Sequence, residues 1–310
     1  MKYRNKWSRR RFLQAAALSA GGLISPKFIS AKSGSFLTKP IPSSGERIPV
    51  IGLGSSRTFN VGNDPLGLEN VTEVMHHFFN AGGKLIDSSP MYGSSQAAIG
   101  YGLNKLAKIK DVFSADKVWT WEADNGPAQM EQSRQHWQVD SFDLMQVHNL
   151  VSWQQHFKTL FSMKQHGKLR YVGISTSHGR RHDELEEIMK SHPLDFVQCS
   201  YNILNREAEQ KLLPLAKKRG IAVIINRPFQ RGDLFDELDG KPLPTWAKTI
   251  GCNTWSQFLL KFIFSHPSVT CAIPATTRVE HVKENMLACT GPLPNQAMRN
   301  SMIDYVEKVI

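Results

Sequence analysis

Hydrophobic and polar positions alternate along the chain with two different periods. Short apolar runs such as "KLIDSS" and "FDLMQVHN" indicate strands, and stretches such as "ENVTEVMHHFFNAGG" have the apolar spacing of amphipathic helices. Between residues 50 and 289 this pattern repeats eight times as a strand followed by a helix. Eight such units predict an α/β fold, a (β/α)8 TIM barrel, with an N-terminal β-hairpin before it and a C-terminal helix after it.

A doubly wound open sheet is the competing arrangement for alternating strands and helices. That fold binds dinucleotides through a G-x-G-x-x-G turn after its first strand, and "GLGSSRTF" at this place lacks the third glycine. The longest irregular stretch, "FQRGDLFDELDGKPLP", follows the seventh strand, where a barrel carries loops for substrate or cofactor. We therefore favour one barrel domain without an internal boundary.

Composition and charge narrow the class of protein. The chain has 310 residues, of which 41% are hydrophobic, and this is enough apolar material for one large core. The net charge of +11 would suit a nucleic-acid partner, but residues 1–31 carry seven basic residues and no acid, which leaves +4 for the rest. Because the basic charge is concentrated in the first segment, no nucleic-acid partner is predicted.

The first segment has the features of an export signal. A basic region, "SRRRFLQ", precedes a short apolar run, "AAALSAGGLI", and an exit with small residues, "SPKFISA". Arg9 and Arg10, with Phe12 and Leu13 shortly after them, resemble the twin-arginine signal. A basic tail on an ordinary amphipathic helix is the alternative interpretation.

The signal interpretation predicts two segments with different fates. Residues 1–31 would be a twin-arginine signal peptide cleaved after Ala31, and residues 32–310 would be the barrel domain. The twin-arginine export machinery is then an expected partner, and it carries proteins that have already folded in the cytoplasm. The expected location is periplasmic or otherwise exported, with no stable membrane association after cleavage.

The four cysteines are widely spaced and form no C-x-x-C pair. This spacing argues against a disulfide framework and against a metal site, so we expect small core residues and no bound metal. The cysteines are Cys199, Cys252, Cys271 and Cys289.

The strand ends of the predicted barrel carry four titratable side chains. The second strand ends at Asp87, with Tyr92 in the loop that follows, and the next two strands present Lys117 and His148 near their ends. Because the carboxyl ends of barrel strands meet at one mouth, we expect these groups to converge. Any one of them alone would more often be a packing or surface residue.

Together these four groups suit the delivery of a proton to a carbonyl oxygen. A phenol normally has a pKa near ~10 and is a weak acid at neutral pH. An ammonium beside it lowers that pKa, and a carboxylate keeps the ammonium charged. An imidazole next to the phenol can hydrogen-bond and orient the substrate oxygen. Such a site needs only a hydride donor to reduce a carbonyl.

The segments that carry these residues resemble those of the aldo-keto reductase family. "IDSSPMYGSSQAAIG" is similar to the family's D-x-A-x-x-Y-G-x-S-E-x-x-G motif, with Ser89 for alanine and Gln96 for glutamate. "VFSADKVW" is similar to its lysine strand, with Asp116 for threonine, and "LMQVHN" to its histidine strand. The resemblance extends over about residues 40–290.

This resemblance implies a role for each of the four strand-end groups. Tyr92 corresponds to the general acid, and Lys117 and Asp87 correspond to the pair that tunes it. His148 corresponds to the residue that orients the substrate.

The resemblance also implies NADPH as the cofactor. "GKLRYVGIST", "RPFQRGDLF" and "IPATTRVEHVKEN" are similar to the segments that bind the nicotinamide carboxamide, the pyrophosphate and the adenosine 2′-phosphate. Arg278 at a helix start suits the 2′-phosphate, because free N–H groups and a guanidinium both favour an anion. The implied cofactor-binding residues are Ser55, Ser175, Gln198, Phe229, Arg231, Gly232, Thr276, Arg278, Glu284 and Asn285.

Three departures from the family pattern lie where the nicotinamide is expected. Asn226 stands where many members place a tyrosine that stacks on the ring, and Arg227 follows it in place of a small residue. Thr176 replaces the usual asparagine after Ser175. These departures concern the placement of the nicotinamide and leave the proton donor in place.

Three function hypotheses follow. The leading one is a single-domain oxidoreductase that reduces the carbonyl of a small aldehyde or ketone with NADPH, with Tyr92 as proton donor. The second is a nucleotide-binding sensor or partner-binding subunit with little turnover. The missing stacking tyrosine leaves room for it, and the intact set of four catalytic residues argues against it. The third is an unrelated barrel hydrolase or isomerase, which would need paired carboxylates or metal ligands that the rim does not offer.

Overall fold

The protein is described by a computed structural model over residues 36–310, so the predicted signal segment 1–31 lies outside the described residues. The described part opens with an antiparallel hairpin of β1 (Thr38–Pro40) and β2 (Arg47–Pro49). The two strands are held by a side-chain bond as well, because Arg47 Nε donates to Thr38 Oγ1 at 2.9 Å.

Eight parallel strands follow, and each hydrogen-bonds to the next one along the chain. They are β3 (Leu53–Gly54), β4 (Leu85–Asp87), β5 (Phe113–Val118), β6 (Phe142–His148), β7 (Leu169–Ser175), β8 (Phe196–Ser200), β9 (Ala222–Asn226) and β10 (Cys271–Ala272). The helices between and after them are α1 (Pro65–Asn80), α2 (Ser95–Lys105), α3 (Gly126–Trp137), α4 (Trp153–Gln165), α5 (His182–Ser191), α6 (Leu212–Arg219), α7 (Asp233–Glu237), α8 (Trp255–Ser265), α9 (Val279–Leu287) and α10 (Gln296–Val309).

The first and last strands meet and close the sheet into a barrel. Isolated parallel bridges join Ile51 to Ala272 and Gly54 to Ala275. The close approach depends on glycine, because a Cβ at Gly54 would lie only 2.9 Å from the carbonyl oxygen of Ile273. The (β/α)8 barrel with its N-terminal hairpin and C-terminal helix is therefore confirmed.

The hairpin closes the amino end of the barrel. Ile41 and Ile48 of the hairpin form one buried cluster with side chains from the first residues of the strands, such as Leu85, Phe113 and Phe196. These side chains point inward because alternate residues of a strand face the same side of the sheet. The cluster blocks this end, so the opposite, carboxyl end is the mouth at which a ligand can enter.

Two details of the sequence prediction change in the structure. Helix α1 begins at Pro65, earlier than the predicted start at Glu69, because Asp64 caps it by accepting from Leu66 N and Gly67 N. The long stretch after the seventh barrel strand is not wholly irregular. It contains a 3₁₀ turn and the short helix α7.

The cysteines are core residues, as predicted from their spacing. All four are buried and free of disulfide bonds.

Within residues 36–310, none of the helices is both long enough and apolar enough to cross a membrane.

Candidate active site

The barrel brings the four predicted catalytic groups to one mouth. Asp87 and His148 are the last residues of β4 and β6, and Lys117 is the last residue but one of β5. Their side chains point inward because each strand alternates between the barrel interior and the surrounding helices. On β5, for example, Ala115 and Lys117 face the interior, and Asp116 between them faces α2.

Lys117 and Asp87 form a buried ion pair. The Lys117 ammonium lies 2.6 Å from Asp87 Oδ2 and also donates to the carbonyl oxygen of Ser88 at 2.7 Å. Burial disfavours the charged ammonium, but the charge of the Asp87 carboxylate and its hydrogen bond favour it, and the pKa of Lys117 is raised. The ammonium therefore stays charged inside the barrel.

The other oxygen of Asp87 is held by two amides. Asp87 Oδ1 accepts from Gln198 Nε2 at 2.8 Å and from Gln146 Nε2 at 3.3 Å. Gln146 was missed in the sequence, although its position two residues before His148 places it on the same face of β6. An amide at an inward position of an otherwise apolar strand was the available signal.

Tyr92 stands at the mouth beside this pair. It ends a 3₁₀ turn, Pro90–Tyr92, in which the Ser89 hydroxyl accepts from Met91 N at 3.2 Å. The Lys117 ammonium lies 5.4 Å from the centre of the Tyr92 ring, and the ring of His148 meets it edge-on at 5.9 Å between centroids.

The pKa of Tyr92 departs from the sequence prediction. Burial raises this pKa above its usual value, and the Lys117 ammonium, which lowers it, does not compensate fully. The ammonium lowers the pKa of Tyr92 as predicted, but burial, which the sequence prediction left out, has the larger effect and sets the net direction. The phenol holds its proton firmly, and Lys117 limits the cost of giving it up.

His148 is a neutral imidazole. Burial, reinforced by the Lys117 charge, lowers the pKa of His148 well below its ordinary value. Its Nδ1 lies 2.9 Å from Ser175 Oγ. If the Ser175 hydroxyl donates to Nδ1, the other ring nitrogen carries the hydrogen and can donate to a substrate oxygen.

The cofactor residues expected near the nicotinamide are mostly bound to neighbours. Ser55 is fully buried and donates to the Asp87 carbonyl oxygen at 2.9 Å, which ties the end of β3 to β4. Gln198 bonds Asp87 on one side and accepts from Asn226 Nδ2 at 3.4 Å on the other. Ser175 bonds His148, and its hydroxyl oxygen keeps a free lone pair.

Asn226 is bonded to neighbouring strand ends through both ends of its side-chain amide. Its side-chain oxygen accepts from Ser200 Oγ at 2.6 Å, and its amide donates to the carbonyl oxygen of Thr176 at 2.8 Å. Asn226 therefore fastens the ends of β7, β8 and β9 to one another. The Thr176 hydroxyl is buried and has no hydrogen-bond partner in the described part of the chain, so it can accept or donate to a ligand.

The expected phosphate and adenine contacts lie further out. Arg278 caps helix α9 with an exposed side chain, and its backbone N donates to Thr276 Oγ1 at 3.0 Å. Asn285 is buried in α9, and the Glu284 carboxylate accepts from the Ser256 hydroxyl of α8. The nearest carboxylate oxygen to Arg278 belongs to Glu280, at 3.9 Å from Arg278 Nε.

The loop after β9 offers an open backbone. Arg231 is exposed, and Phe229 packs on Phe235 at 4.7 Å between ring centroids. Gly232 has a φ of 115°, and no atom lies within 4 Å of the position that a Cβ would take. A phosphate group can approach such a backbone closely.

These features fit a nicotinamide dinucleotide at two separated points. The unpartnered Thr176 hydroxyl beside Ser175 suits an amide, and the N-terminus of α9 with Arg278 suits a phosphate.

The described residues offer no site for a metal ion. Within residues 36–310, there is no cluster of three or more His, Cys, Asp or Glu side chains that could hold an ion.

Known proteins share this fold. The sequence model of a family described as "Aldo/keto reductase family" matches residues 50–304. A glycerol dehydrogenase from Gluconobacter oxydans has a TM-score of 0.73 at 19% identity, covering 88% of this chain and 96% of that one. An aldo/keto reductase from Klebsiella pneumoniae, solved with NADP and acetate, has a TM-score of 0.71 at 23% identity, covering 84% of this chain and 92% of that one. At these identities the likeness establishes the fold.

A curated relative matches over a shorter span. An uncharacterized oxidoreductase from Schizosaccharomyces pombe is 31% identical over 153 residues, which is 48% of this chain and 48% of the relative. The matched region thus spans about half the length of that relative.

Proposed function

Because the chain belongs to the aldo/keto reductase family, we propose that it reduces the carbonyl of an aldehyde or ketone to an alcohol with NADPH. The observation that carries this proposal is the buried Asp87–Lys117 ion pair beneath Tyr92 and His148. A protein that only bound nucleotides would have no use for a proton donor with its own tuning pair.

The residues at the mouth would act in three ways during the reaction. The N–H of the His148 imidazole that faces the mouth would hold and orient the carbonyl oxygen. The Tyr92 hydroxyl would give its proton to that oxygen, and the Lys117 ammonium would stabilise the phenolate that remains. Asp87 would keep the ammonium charged and in place.

NADPH would supply the hydride when bound. Ser175 and Thr176 would hold the carboxamide, the loop with Arg231 and Gly232 would receive the pyrophosphate, and Arg278 would face the 2′-phosphate. Two similar structures from Klebsiella pneumoniae, one of an aldo/keto reductase with NADP and acetate and one of an aldo-keto reductase with NADPH, support this choice of cofactor.

The experiment that tests this function compares wild type with Tyr92→Phe on a panel of aldehydes and quinones. The phenylalanine keeps the ring and removes the acidic hydrogen, so we expect the rate to fall by about 10² to 10⁴. NADPH affinity should stay unchanged, because the hydroxyl faces the substrate. Tyr101→Phe, at an exposed tyrosine of α2, is the matched control. Full activity of Tyr92→Phe would contradict the role given to the phenol.

A sensor or partner-binding subunit with little turnover is the second candidate, and Asn226 in place of a stacking aromatic favours it. The same assay separates the two. Wild type that binds NADPH and reduces nothing on a broad panel would support the sensor.

We also propose that the protein is exported by the twin-arginine machinery after folding, on the strength of the Arg9–Arg10 segment. Replacing both arginines with lysine should leave full-length protein in the cytoplasm, as seen by cell fractionation and mass spectrometry. Unchanged export of that variant would show that another signal directs the chain.

A further inference from the structure

Five basic residues surround the mouth of the barrel near Tyr92. They lie in three loops, each of which follows the carboxyl end of a strand: β3, β7 and β9. These residues are Arg57, His178, Arg180, Arg227 and Arg231. The proposed cofactor contacts use only Arg231 from this set, so the other four have no assigned role.

The guanidinium groups of this cluster are not neutralised by neighbouring acids. Within residues 36–310, none of Arg57, Arg180 and Arg227 has a carboxylate oxygen within 4.0 Å, although the adjacent Arg181 pairs with Glu184 at 2.6 Å. Glu207 lies near the same loop, but its carboxylate is 3.3 Å from His182 Nδ1. The cluster is therefore a concentration of positive charge that a bound anion would relieve.

Hydrogen bonds join the loops and hold Arg227 in place. His178 N donates to Ser200 Oγ at 3.0 Å, and Ser200 Oγ donates in turn to Asn226. The carbonyl oxygen of Arg227 accepts from Asn202 Nδ2 at 3.2 Å. Arg227 is thus anchored through its backbone, and only part of its side chain remains exposed.

The backbone at most of these positions is strained. Left-handed φ values are unfavourable for residues with a Cβ and persist mainly where the surrounding structure holds them, often at ligand sites. Four of the five positions have such values: Arg57 (66°), His178 (68°), Arg227 (52°) and Arg231 (68°).

Arg227 directly follows Asn226, the last residue of β9, so it lies at the mouth of the barrel. Burial, together with the charges of Arg231 and Arg57, lowers the pKa of Arg227 to about 10. The guanidinium still carries its charge at neutral pH. Arg227 therefore places a positive charge in the loop after β9, at the same end of the barrel as Tyr92.

We propose that the substrate is an anionic carbonyl compound whose carboxylate or phosphate group is held by Arg227, with Arg57 and Arg180 at the rim, while its carbonyl oxygen faces Tyr92. A guanidinium can bond two oxygens of such a group at once, which would also fix the direction of the substrate. This inference rests on the proposed reduction of a carbonyl and adds the chemical class of the substrate.

The test uses pairs of aldehydes that differ in charge. Succinic semialdehyde against butanal tests the carboxylate, and glycolaldehyde phosphate against glycolaldehyde tests the phosphate. In wild type the anionic member of one pair should have the higher kcat/KM. In Arg227→Met the anionic-to-neutral ratio of kcat/KM should fall roughly tenfold to a hundredfold, as for a lost hydrogen bond to a charged group.

The control variant is Arg219→Met, which removes an exposed guanidinium at the end of α6, away from the mouth. It should leave the ratio unchanged, and the dissociation constant of NADPH should be the same for all three proteins. Equal losses on charged and neutral aldehydes, or a weaker NADPH complex in Arg227→Met, would overturn the inference and assign Arg227 to the cofactor.

Direct binding separates this inference from the proposed function. Calorimetry on the NADP⁺ complex would measure succinate and inorganic phosphate as non-reacting probes. Binding of either probe to wild type and its loss in Arg227→Met would support the anion site even if no carbonyl were reduced. Active enzyme that binds neither probe and prefers neutral aldehydes would contradict the anion site and leave the proposed reduction standing.

Discussion

At the amino end of the barrel, Leu85 and Phe196 pack on Ile48 of the hairpin, and two residues further along the same strands Asp87 and Gln198 hydrogen-bond to each other. The two ends therefore share strands and side-chain direction but differ in chemistry. The amino end is closed and apolar, which stabilises the fold. The carboxyl end is open and polar, which suits chemistry. On one strand, residues that stabilise the fold and residues suited to chemistry can therefore lie only two positions apart.

Two adjacent residues of β5, Asp116 and Lys117, face opposite sides of the sheet and have different surroundings. Lys117 faces inward and pairs with Asp87, whereas Asp116 faces outward, and no lysine, arginine or histidine side chain among residues 36–310 forms an ion pair with it. Its carboxylate accepts from Gln96 Nε2 and from Lys117 N, both at 2.7 Å. Burial, only partly offset by these bonds and the Lys117 charge, raises the pKa of Asp116 to about 7.

Lys117→Met should give the largest effect, because it should lower both the stability of the fold and the rate of carbonyl reduction. It leaves the Asp87 carboxylate buried without its cation, which costs about 3–5 kcal/mol of stability for a broken buried pair. In the proposed reaction it also removes the charge that would stabilise the Tyr92 phenolate, so carbonyl reduction should fall as well. Chemical denaturation and steady-state kinetics measure the two losses. A variant with normal stability would show that the pair is not coupled to folding.

Ile48→Ala, at the closed amino end of the barrel, should lower stability without changing activity. Ile48 is 1% exposed, and truncation of a buried isoleucine costs roughly 2–5 kcal/mol. Because the hairpin lies at the opposite end from the mouth, kcat/KM should be unchanged at temperatures where the variant is folded. Leu66→Ala, at a site that is 80% exposed, is the control and should change neither quantity. A large loss of kcat in Ile48→Ala would contradict the view that the amino end contributes to stability alone.

Asp116→Asn should change how stability depends on pH. The carboxyl has a pKa of about 7 in the folded protein and an ordinary value of 3.8. Its contribution to the free energy of unfolding is therefore fully present below 3.8 and is lost as the pH rises through 7. Between about pH 5 and about pH 8 wild type should lose roughly 2–3 kcal/mol that the variant does not lose. Urea melts across this range measure the difference. Identical slopes would mean that Asp116 keeps a low pKa.

Arg278→Ala should have the smallest effect, since the side chain is exposed and its proposed role is limited to one phosphate of the cofactor. A guanidinium gains a charge-assisted bond only from the 2′-phosphate of NADPH. Preference for NADPH over NADH should fall roughly tenfold to a hundredfold, with little change in NADH affinity. Fluorescence titration of both nucleotides measures it. Equal affinity of wild type for the two nucleotides would remove Arg278 from this role.

The sequence by itself determined the barrel and the meeting of polar groups from three of its strand ends. Both follow from short-range patterns, because the alternation of strand and helix requires parallel strands, and parallel strands bring Asp87, Lys117 and His148 to one end. The hairpin and the core cysteines could be predicted in the same way. Gln146 could also have been found, since it shares the inward face of β6 with His148.

Only the tertiary structure decided how these groups interact. Gln198 bonds Asp87 across 111 positions of sequence, and Asn226 fastens three strand ends to one another. The direction of the Tyr92 pKa depends on a balance between burial and the Lys117 charge, and neither burial nor distance is written in local sequence. The cationic cluster around Arg227 likewise exists only because three separate loops converge at the mouth.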